Sequence, residues 1–161
     1  MRTRLAPTPS GWLHIGNGAS FVLTWLLTRA MDGKLLLRID DMDKGRRRTA
    51  YLEEIFRTIE WLGIDYDEGP AGVDDFLQNW SQHLRLDRYH KALNQLWEEG
   101  HLYACDCSRK AWQSLSQNNL YPGSCRERQL PKDRAGLAWR VLVPSHSFVQ
   151  LQERKSQKLS Q

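Results

Sequence analysis

The sequence predicts an α/β fold built on a parallel sheet, and three observations lead to it. A short apolar strand over residues 3–6 ends at a turn rich in proline and glycine over residues 7–11. Apolar residues then recur at helical spacing over residues 15–30, and Asp32-Gly33 ends that helix. Residues 34–39 form a second, continuously apolar strand, as expected for a strand buried on both faces. The β-α-β order predicts a parallel pair with a right-handed crossover, the beginning of a doubly wound sheet.

The remaining elements follow from the same patterns. A second helix is expected over residues 49–62, and residues 64–70 return as strand or loop before a loop over residues 71–80. A third helix is expected over residues 84–99 and a further strand over residues 137–143. The apolar side chains expected to face inward are Leu52, Ile55, Phe56, Ile59 and Leu62 in the second helix, and Leu86, Tyr89, Leu93, Leu96 and Trp97 in the third. We expect one domain over residues 1–161, with the cysteine-containing segment 101–128 inserted in it.

Composition and charge limit the classes of protein only loosely. The chain has 161 residues, with 23 basic and 19 acidic side chains, and its net charge of +4 suits an anionic partner such as a nucleotide or RNA. No apolar run is long enough to span a bilayer and no apolar signal core follows Met1, so a cytoplasmic location without membrane association is expected. Three cysteines, an odd number, favour a metal site or free thiols over a disulfide framework.

The N-terminus of the first predicted helix is a candidate phosphate site. Unpaired backbone N–H groups and the helix dipole attract anions there. His14 lies beside this helix end and would stabilise charge on a transferring phosphoryl group, while Gly16 lets a nucleotide approach the backbone. A surface histidine in a Pro/Gly turn is the simpler alternative.

Three carboxylates, Asp40, Asp41 and Asp43, follow the second predicted strand. They offer a place for an ammonium-bearing substrate beside the nucleotide. A solvated loop between strand and helix is the alternative interpretation.

The cysteine-containing segment carries a candidate metal site. Cys105 and Cys107 share one tight turn, and Tyr121 and Cys125 follow a second turn. Three thiolates and a phenolate would close a tetrahedral Zn²⁺ site of structural type, which orders a segment with little core of its own. Free thiols are the alternative, and the spacing by itself leaves both open.

Four motifs in order resemble the class I aminoacyl-tRNA synthetases of the glutamyl type. The stretch R-L-A-P-T-P-S-G-W-L-H-I-G-N is similar to the family's first signature, with its His-Ile-Gly-His element, and R-I-D-D-M-D is similar to its R-I-E-D-T-D. Residues 60–70 resemble W-L-G-(I/L)-x-x-D-E-G-P, and residues 82–89 resemble Q-S-x-R-x-x-x-Y. The resemblance covers nearly the whole chain and implies a Rossmann-like catalytic domain, here with an incomplete parallel sheet and a small zinc-binding insertion.

The resemblance also implies roles at individual positions in glutamate binding. Arg4, Ala6 and Thr8 fall where the family contacts glutamate, and Asp40 falls on the acid that binds its α-ammonium group. Asp40 is one methylene shorter than the family's usual glutamate, and Met42 replaces a threonine, which puts the affinity for glutamate in doubt.

The family's ATP site gives the expected catalytic residues. His14, Gly16 and Asn17 fall on that site, where ATP would bind as a substrate with Mg²⁺. The reaction implied is the activation of L-glutamate to glutamyl-adenylate.

The cysteine segment is similar to that of the glutamyl-queuosine tRNA(Asp) synthetases, short paralogues within the family. That resemblance implies structural zinc on Cys105, Cys107, Tyr121 and Cys125, and transfer of glutamate to queuosine of tRNA(Asp). Three alternatives remain: part of an ordinary glutamyl-tRNA synthetase, another nucleotidyltransferase sharing only the His14 turn, or a non-catalytic nucleotide- or RNA-binding remnant.

The end of the sequence gives a further expectation. The family's second half brings a lysine-rich K-M-S-K-S-type loop, and residues 151–159 are similar to the paralogue's L-Q-G-R-x-S-Q-x-L, which precedes that half. We therefore expect a truncated chain that is weakly active or inactive alone. It should associate through uncovered apolar faces, whereas the full-length protein should be a monomer.

Overall fold

The computed structural model describes residues 1–113 and 120–143 of the chain. Within those residues, no helix is long and apolar enough to cross a membrane. The chain divides into two compact units, Met1–Tyr89 and His90–Gln161. The tail motif over residues 151–159 lies outside the described residues.

The first unit contains the predicted parallel strand pair. Strand β1 (Arg2–Leu5) pairs with β2 (Lys34–Leu37) in parallel, with Arg2 opposite Lys34, and helix α1 (Ile15–Ala30) connects the two strands. An isolated parallel bridge joins Leu36 to Glu68 on the other side of β2. The prediction of a β-α-β unit with a short parallel sheet is therefore confirmed, and the chain over residues 64–70 returns to the sheet through one bridge.

Helix α2 (Thr49–Trp61) packs as its apolar spacing predicts. Leu52, Ile55 and Ile59 are buried, and Phe56 and Leu62 pack against them in part. Together with the strands they form one core, whose buried members are Leu5, Phe21, Leu35, Leu37, Ile39, Leu52, Ile55, Ile59, Ile64 and Phe76.

Helix α1 buries much less of its apolar surface than its sequence suggests. Phe21 and Thr28 are its buried residues, whereas Leu23 is 59% and Ile15 is 93% exposed. A pair of strands covers only a narrow strip of a helix packed on it, so most of the apolar surface of α1 stays outside the core of this unit.

The prediction of a loop over residues 71–80 is wrong. A helical turn, α3 (Val73–Asp75), continues into a π-helical turn over Phe76–Trp80. The Asp75 carboxylate accepts hydrogen bonds of 2.8 Å from the Ala71 backbone and from the Asn79 side chain. Phe76 is fully buried and anchors the turn in the core. The segment folds because one aspartate satisfies local donors and one aromatic side chain is buried.

Helix α4 (Leu86–Glu98) follows a 3₁₀ turn over Gln82–Arg85. Its existence confirms the prediction, but none of its residues is buried, so the prediction that its apolar face is buried is wrong. Leu93 and Leu96 are each 37% exposed. An amphipathic sequence forms the helix, but burial needs a partner surface, and the described residues cover this face only in part.

The second unit contains an antiparallel strand pair. Strand β3 (Leu102–Cys105) pairs with β4 (Ala138–Val141), with Cys105 opposite Ala138 and Tyr103 opposite Arg140. Strand β4 confirms the predicted strand over residues 137–143. The sequence patterns did not identify β3 or the short helix α5 (Arg109–Gln113).

Candidate functional site

A cleft of about 420 Å³ opens beside the end of β1 and the start of α1. Along the extended chain that leaves β1, Leu5 and Pro7 are buried, whereas Arg4, Ala6 and Thr8 are exposed. Successive side chains of an extended chain point to opposite faces, so these three residues share one face. All three line the cleft. The structure therefore brings together three of the four residues predicted to contact glutamate.

Arg4 is the cation of this cleft best suited to bind a carboxylate. Among the described residues, its guanidinium has no hydrogen-bond or salt-bridge partner. The neighbouring Arg2, on the same strand, pairs with Glu68 instead and does not line the cleft. The Arg4 guanidinium can therefore donate two hydrogen bonds to one carboxylate without breaking a contact with the described residues.

His14 caps α1 through one ring nitrogen. Its Nδ1 accepts a hydrogen bond of 3.1 Å from the Gly16 backbone N–H, and its own backbone N–H donates to Asn17 Oδ1 at 3.0 Å. An Nδ1 that accepts a hydrogen bond carries no proton, so the neutral ring holds its proton on Nε2. His14 and Asn17 both line the cleft. The cap thus leaves an imidazole N–H donor at the helix end where phosphate is expected.

Gly16 serves this arrangement through its backbone and its lack of a side chain. It does not line the cleft. A Cβ atom at this position would lie 3.0 Å from both Nδ1 and Cε1 of His14. Any larger residue would therefore push against the imidazole ring.

Asp40 is held next to the cleft and does not line it. Its backbone N–H donates to Pro7 O at 2.9 Å, which ties it to the extended segment that carries Ala6 and Thr8. Both of its carboxylate oxygens accept from the Arg38 guanidinium, at 2.7 and 2.9 Å, and Gln82 Nε2 lies 3.2 Å from Oδ1. An α-ammonium group would share this carboxylate with Arg38.

Asp41, the second carboxylate of the motif, has a structural role. Its side chain is fully buried and accepts hydrogen bonds from the Ser81 hydroxyl at 2.6 Å, the Gln82 backbone at 2.8 Å and Arg47 at 2.8 Å. Burial by itself would raise the pKa of this carboxyl group, but the hydrogen bonds outweigh it and hold the pKa below its usual value. Asp43 forms an exposed pair with Arg46.

The predicted metal ligands lie together in the second unit. The Sγ atoms of Cys105, Cys107 and Cys125 are all within 4.8 Å of one another, with Cys107 and Cys125 at 3.4 Å. The Tyr121 hydroxyl lies 3.3 Å from Cys105 Sγ and accepts from the Cys125 backbone N–H at 3.1 Å. Tetrahedral zinc with bonds of about 2.0–2.3 Å has ligand–ligand edges of roughly 3.3–3.8 Å. Donor types and shortest spacings therefore fit zinc.

The side chains of this cluster differ in how readily they lose a proton. Burial would raise the pKa of the Cys105 thiol, but hydrogen bonding with Tyr121 and Arg140 lowers it to about 7. The neighbouring sulfur of Cys125 raises the pKa of Cys107, and burial raises that of Tyr121. One anion forms readily and discourages the next, so a cation is needed to ionise the full set of ligands.

Comparison with known proteins identifies the family. The profile of tRNA synthetases class I (E and Q), catalytic domain, matches residues 1–135. The chain belongs to this synthetase family. A glutamyl-Q tRNA(Asp) synthetase of Symbiobacterium thermophilum is 40% identical over 153 residues, which cover 90% of this chain and 47% of that protein. A glutamate–tRNA ligase of Natranaerobius thermophilus is 39% identical over 133 residues, covering 78% of this chain and 27% of that protein.

A solved structure agrees with the family assignment. The crystal structure of a glutamate tRNA ligase from Elizabethkingia meningosepticum, in complex with its amino acid, superposes with a TM-score of 0.58 at 28% identity. The match covers 71% of this chain and 23% of that one. The chain thus spans about half the length of the glutamyl-Q relative and about a quarter of the two ligases. The α/β fold is that of the family's catalytic domain.

Some residues at or beside the cleft had no role assigned from the sequence. Ser20 and Thr24 line the cleft together with Asn17. Arg38 and Gln82, which the motifs contain, bind Asp40 beside it. A signal for the first group was available, because positions 17, 20 and 24 are polar at helical spacing within a largely apolar helix. The partners of Asp40 were not predictable as such, since Gln82 is 42 residues away in the chain.

Proposed function

We propose that this protein activates L-glutamate with ATP to give glutamyl-adenylate and pyrophosphate. One observation supports this activity most directly. A single cleft contains the Arg4 guanidinium, which has no partner among the described residues, and the end of α1 that His14 caps. The first suits a carboxylate and the second suits phosphate, which are the two anionic groups that this reaction brings together.

In the proposed reaction, positioning and electrostatics do most of the work. Arg4 holds the side-chain carboxylate of glutamate, with Ala6 and Thr8 forming the wall beside it. The α-carboxylate oxygen attacks the α-phosphorus of ATP in line, a new P–O bond forms, and pyrophosphate leaves with the electrons of the broken bond. The Nε2–H of His14 and the N-terminus of α1 stabilise the charge on the phosphates. Mg²⁺ bound with ATP would neutralise part of that charge.

Asp40 is proposed to bind the α-ammonium group of glutamate. Its backbone N–H donates to the Pro7 carbonyl, which holds the residue beside the cleft. The Arg38 fork uses two of the roughly four lone-pair directions of the carboxylate, so acceptor capacity remains for an ammonium group. The Arg38 guanidinium weakens the attraction of Asp40 for a second cation.

The acceptor is proposed to be queuosine of tRNA(Asp). Support comes from the 40% identity to a glutamyl-Q tRNA(Asp) synthetase over 90% of the chain and from the compact Cys-x-Cys segment. An ordinary glutamate–tRNA ligase matches at nearly equal identity, so transfer to tRNA(Glu) is the second candidate. Labelled glutamate offered with queuosine-containing tRNA(Asp), the same tRNA lacking queuosine, and tRNA(Glu) separates the two: labelling of tRNA(Glu) alone would contradict the proposal.

A structural zinc ion on Cys105, Cys107, Tyr121 and Cys125 completes the proposal. The ion would fix the two turns that carry these ligands to each other and take no part in the chemistry. One equivalent of zinc in freshly purified protein, by elemental analysis, is the expected result. Less than half an equivalent would count against the site.

The glutamate site is tested by Arg4→Ala and a matched control, Arg2→Ala. Both remove an exposed guanidinium from the same strand, but only Arg4 lines the cleft. With a non-hydrolysable sulfamoyl analogue of glutamyl-adenylate in calorimetric titration, Arg4→Ala should lose affinity by about 100-fold, because it removes the cation that pairs with the side-chain carboxylate of the ligand. Arg2→Ala should bind like the parent. Equal binding by all three chains, or no binding by the parent, would overturn the proposed activity.

A further inference from the structure

We propose that Arg140 offsets the negative charge of the zinc site and orients Tyr121 as its oxygen ligand. This inference rests on the proposed zinc site. It assigns a role to a residue outside the ligand set, which the motif spacing does not indicate.

The charge of the ligand set creates the need for such a residue. Three thiolates and one phenolate carry four negative charges against two on the zinc ion, so a loaded site keeps a surplus of negative charge. In a partly buried position this surplus raises the free energy of the loaded state and weakens zinc binding, unless a nearby cation offsets it. Residues around the ligands therefore decide how tightly the ion is held.

The strand pairing puts Arg140 next to two of the four ligands. Arg140 lies opposite Tyr103 in the antiparallel pair, one diagonal step from Cys105 on the same face. Its guanidinium carbon is 3.9 Å from the centre of the Tyr121 ring, a cation–π contact. This contact orients the Tyr121 ring and places a positive charge beside the proposed oxygen ligand.

The burial of one nitrogen of Arg140 requires an anion nearby to be favourable. Its Nε atom is buried and has no hydrogen-bond partner among the described residues. Burying part of a guanidinium without an anionic partner is costly. The same placement is favourable when the neighbouring sulfur and oxygen atoms are anionic, as they are around zinc.

Arg128 provides a natural comparison because it also approaches the cluster. Its Nη1 atom lies 3.5 Å from Cys125 Sγ, but the same guanidinium forms a two-pronged pair with Asp106, at 2.6 and 3.0 Å. Asp106 already balances the charge of Arg128. Removing Arg128 should therefore change the charge around the site much less than removing Arg140.

The test measures zinc affinity of the 161-residue chain by competition with a chromophoric chelator. Arg140→Met should weaken zinc binding by about 10- to 100-fold, the range found for residues that support metal ligands. Arg140→Lys keeps the charge and should recover much of the loss. Arg128→Met should have a smaller effect, and Arg134→Met, at an exposed position without a described contact to the ligands, should have none. Far-UV circular dichroism of each zinc-loaded chain checks that it is folded.

A double-mutant cycle separates action through Tyr121 from general packing. If Arg140 acts through that ligand, Tyr121→Phe weakens binding in the parent but adds little in Arg140→Met. Fully additive losses, equal losses in the Met and Lys variants, or an unchanged affinity in Arg140→Met would overturn the inference. A parent chain that binds no zinc would instead overturn the zinc site itself, and this inference with it.

Discussion

His14 combines two roles that can be separated by substitution. Its Nδ1 atom caps α1 by accepting a hydrogen bond from the Gly16 N–H, and its Nε2–H is left as a donor at the start of the helix. The first role contributes to the stability of the helix, and the second is proposed to act on the phosphates of ATP. Because the two roles use different atoms of one ring, a residue that caps without offering the second donor keeps one and loses the other.

His14→Ala and His14→Asn should therefore differ in stability but agree in binding. Alanine removes the cap and should lower the free energy of unfolding by about 1 kcal/mol, whereas asparagine is among the best capping residues and should preserve it. Both should bind the adenylate analogue about 10- to 100-fold more weakly, the worth of a hydrogen bond to a charged group. Urea unfolding and calorimetric titration measure the two effects. Parent-like binding by His14→Asn would show that the imidazole N–H does not contact the ligand.

At the scale of elements, local signals predicted where helices and strands lie. Helix α1 begins after the His14 cap and ends before Gly33, whose missing Cβ would lie 2.9 Å from the Met1 carbonyl oxygen. Such caps and turns depend on neighbouring residues, so the sequence reveals them. The residues on the cleft side of β1 were equally predictable, because the alternation of side chains fixes which residues share a face.

Packing partners could not be predicted in the same way. The sequence of α1 contains three surfaces: a buried strip at Phe21 and Thr28, a polar strip at Asn17, Ser20 and Thr24, and an exposed apolar face. Which of them meets the sheet depends on the width of the sheet, which periodicity does not encode. The pairing of Asp41 with residues 81–82, some 40 positions away, is likewise a product of the fold.

Asp41 links the loop after β2 to the start of the 3₁₀ turn, and Asp41→Asn should weaken that link. We expect a loss of about 2–3 kcal/mol at neutral pH, typical of buried hydrogen bonds to a charged group. The exposed Asp43→Asn is the control and should cost under about 1 kcal/mol.

The pH dependence of the same variant gives a second test. The folded-state pKa of Asp41 lies below 3.8, so its contribution is complete above that pH and is lost as the pH falls through the folded-state value. Denaturant unfolding of parent and Asp41→Asn should therefore give stabilities that converge in acid below pH 3.8. A difference that stays constant, or one that grows with acidification, would contradict an ionised, hydrogen-bonded Asp41.

At the scale of the whole molecule, the two units differ in what stabilises them. The first unit has a continuous core of strand and helix residues. In the described part of the second, the buried hydrophobic residues are Leu102, Ala104, Cys105 and Cys125. Two of these four are proposed zinc ligands, so the metal would replace much of the missing core.

The first unit carries an exposed apolar groove. A groove of about 800 Å³ between α1 and α2 contains Leu23 and Leu26, and Trp61 at its edge is 82% exposed. Contiguous apolar surface of this kind favours association. Self-association of the 161-residue chain thus stays a prediction, now with a defined surface. Monodisperse monomers at micromolar concentration would contradict it.

Removing zinc should destabilise the second unit and spare the first. When a chelator strips the zinc-loaded chain, we expect amide protection to fall over residues 102–105 and 125–128, because the ion no longer joins the two turns and the few buried residues there cannot hold them. Protection over residues 52–59, in the core of the first unit, should not change. Hydrogen exchange followed by mass spectrometry measures both regions in one sample, and adding zinc back should restore the loss. Cys107→Ser should resemble the stripped protein without a chelator. Equal loss of protection in both regions would mean that the metal supports the whole chain, and no loss in either would mean that the cluster folds without it.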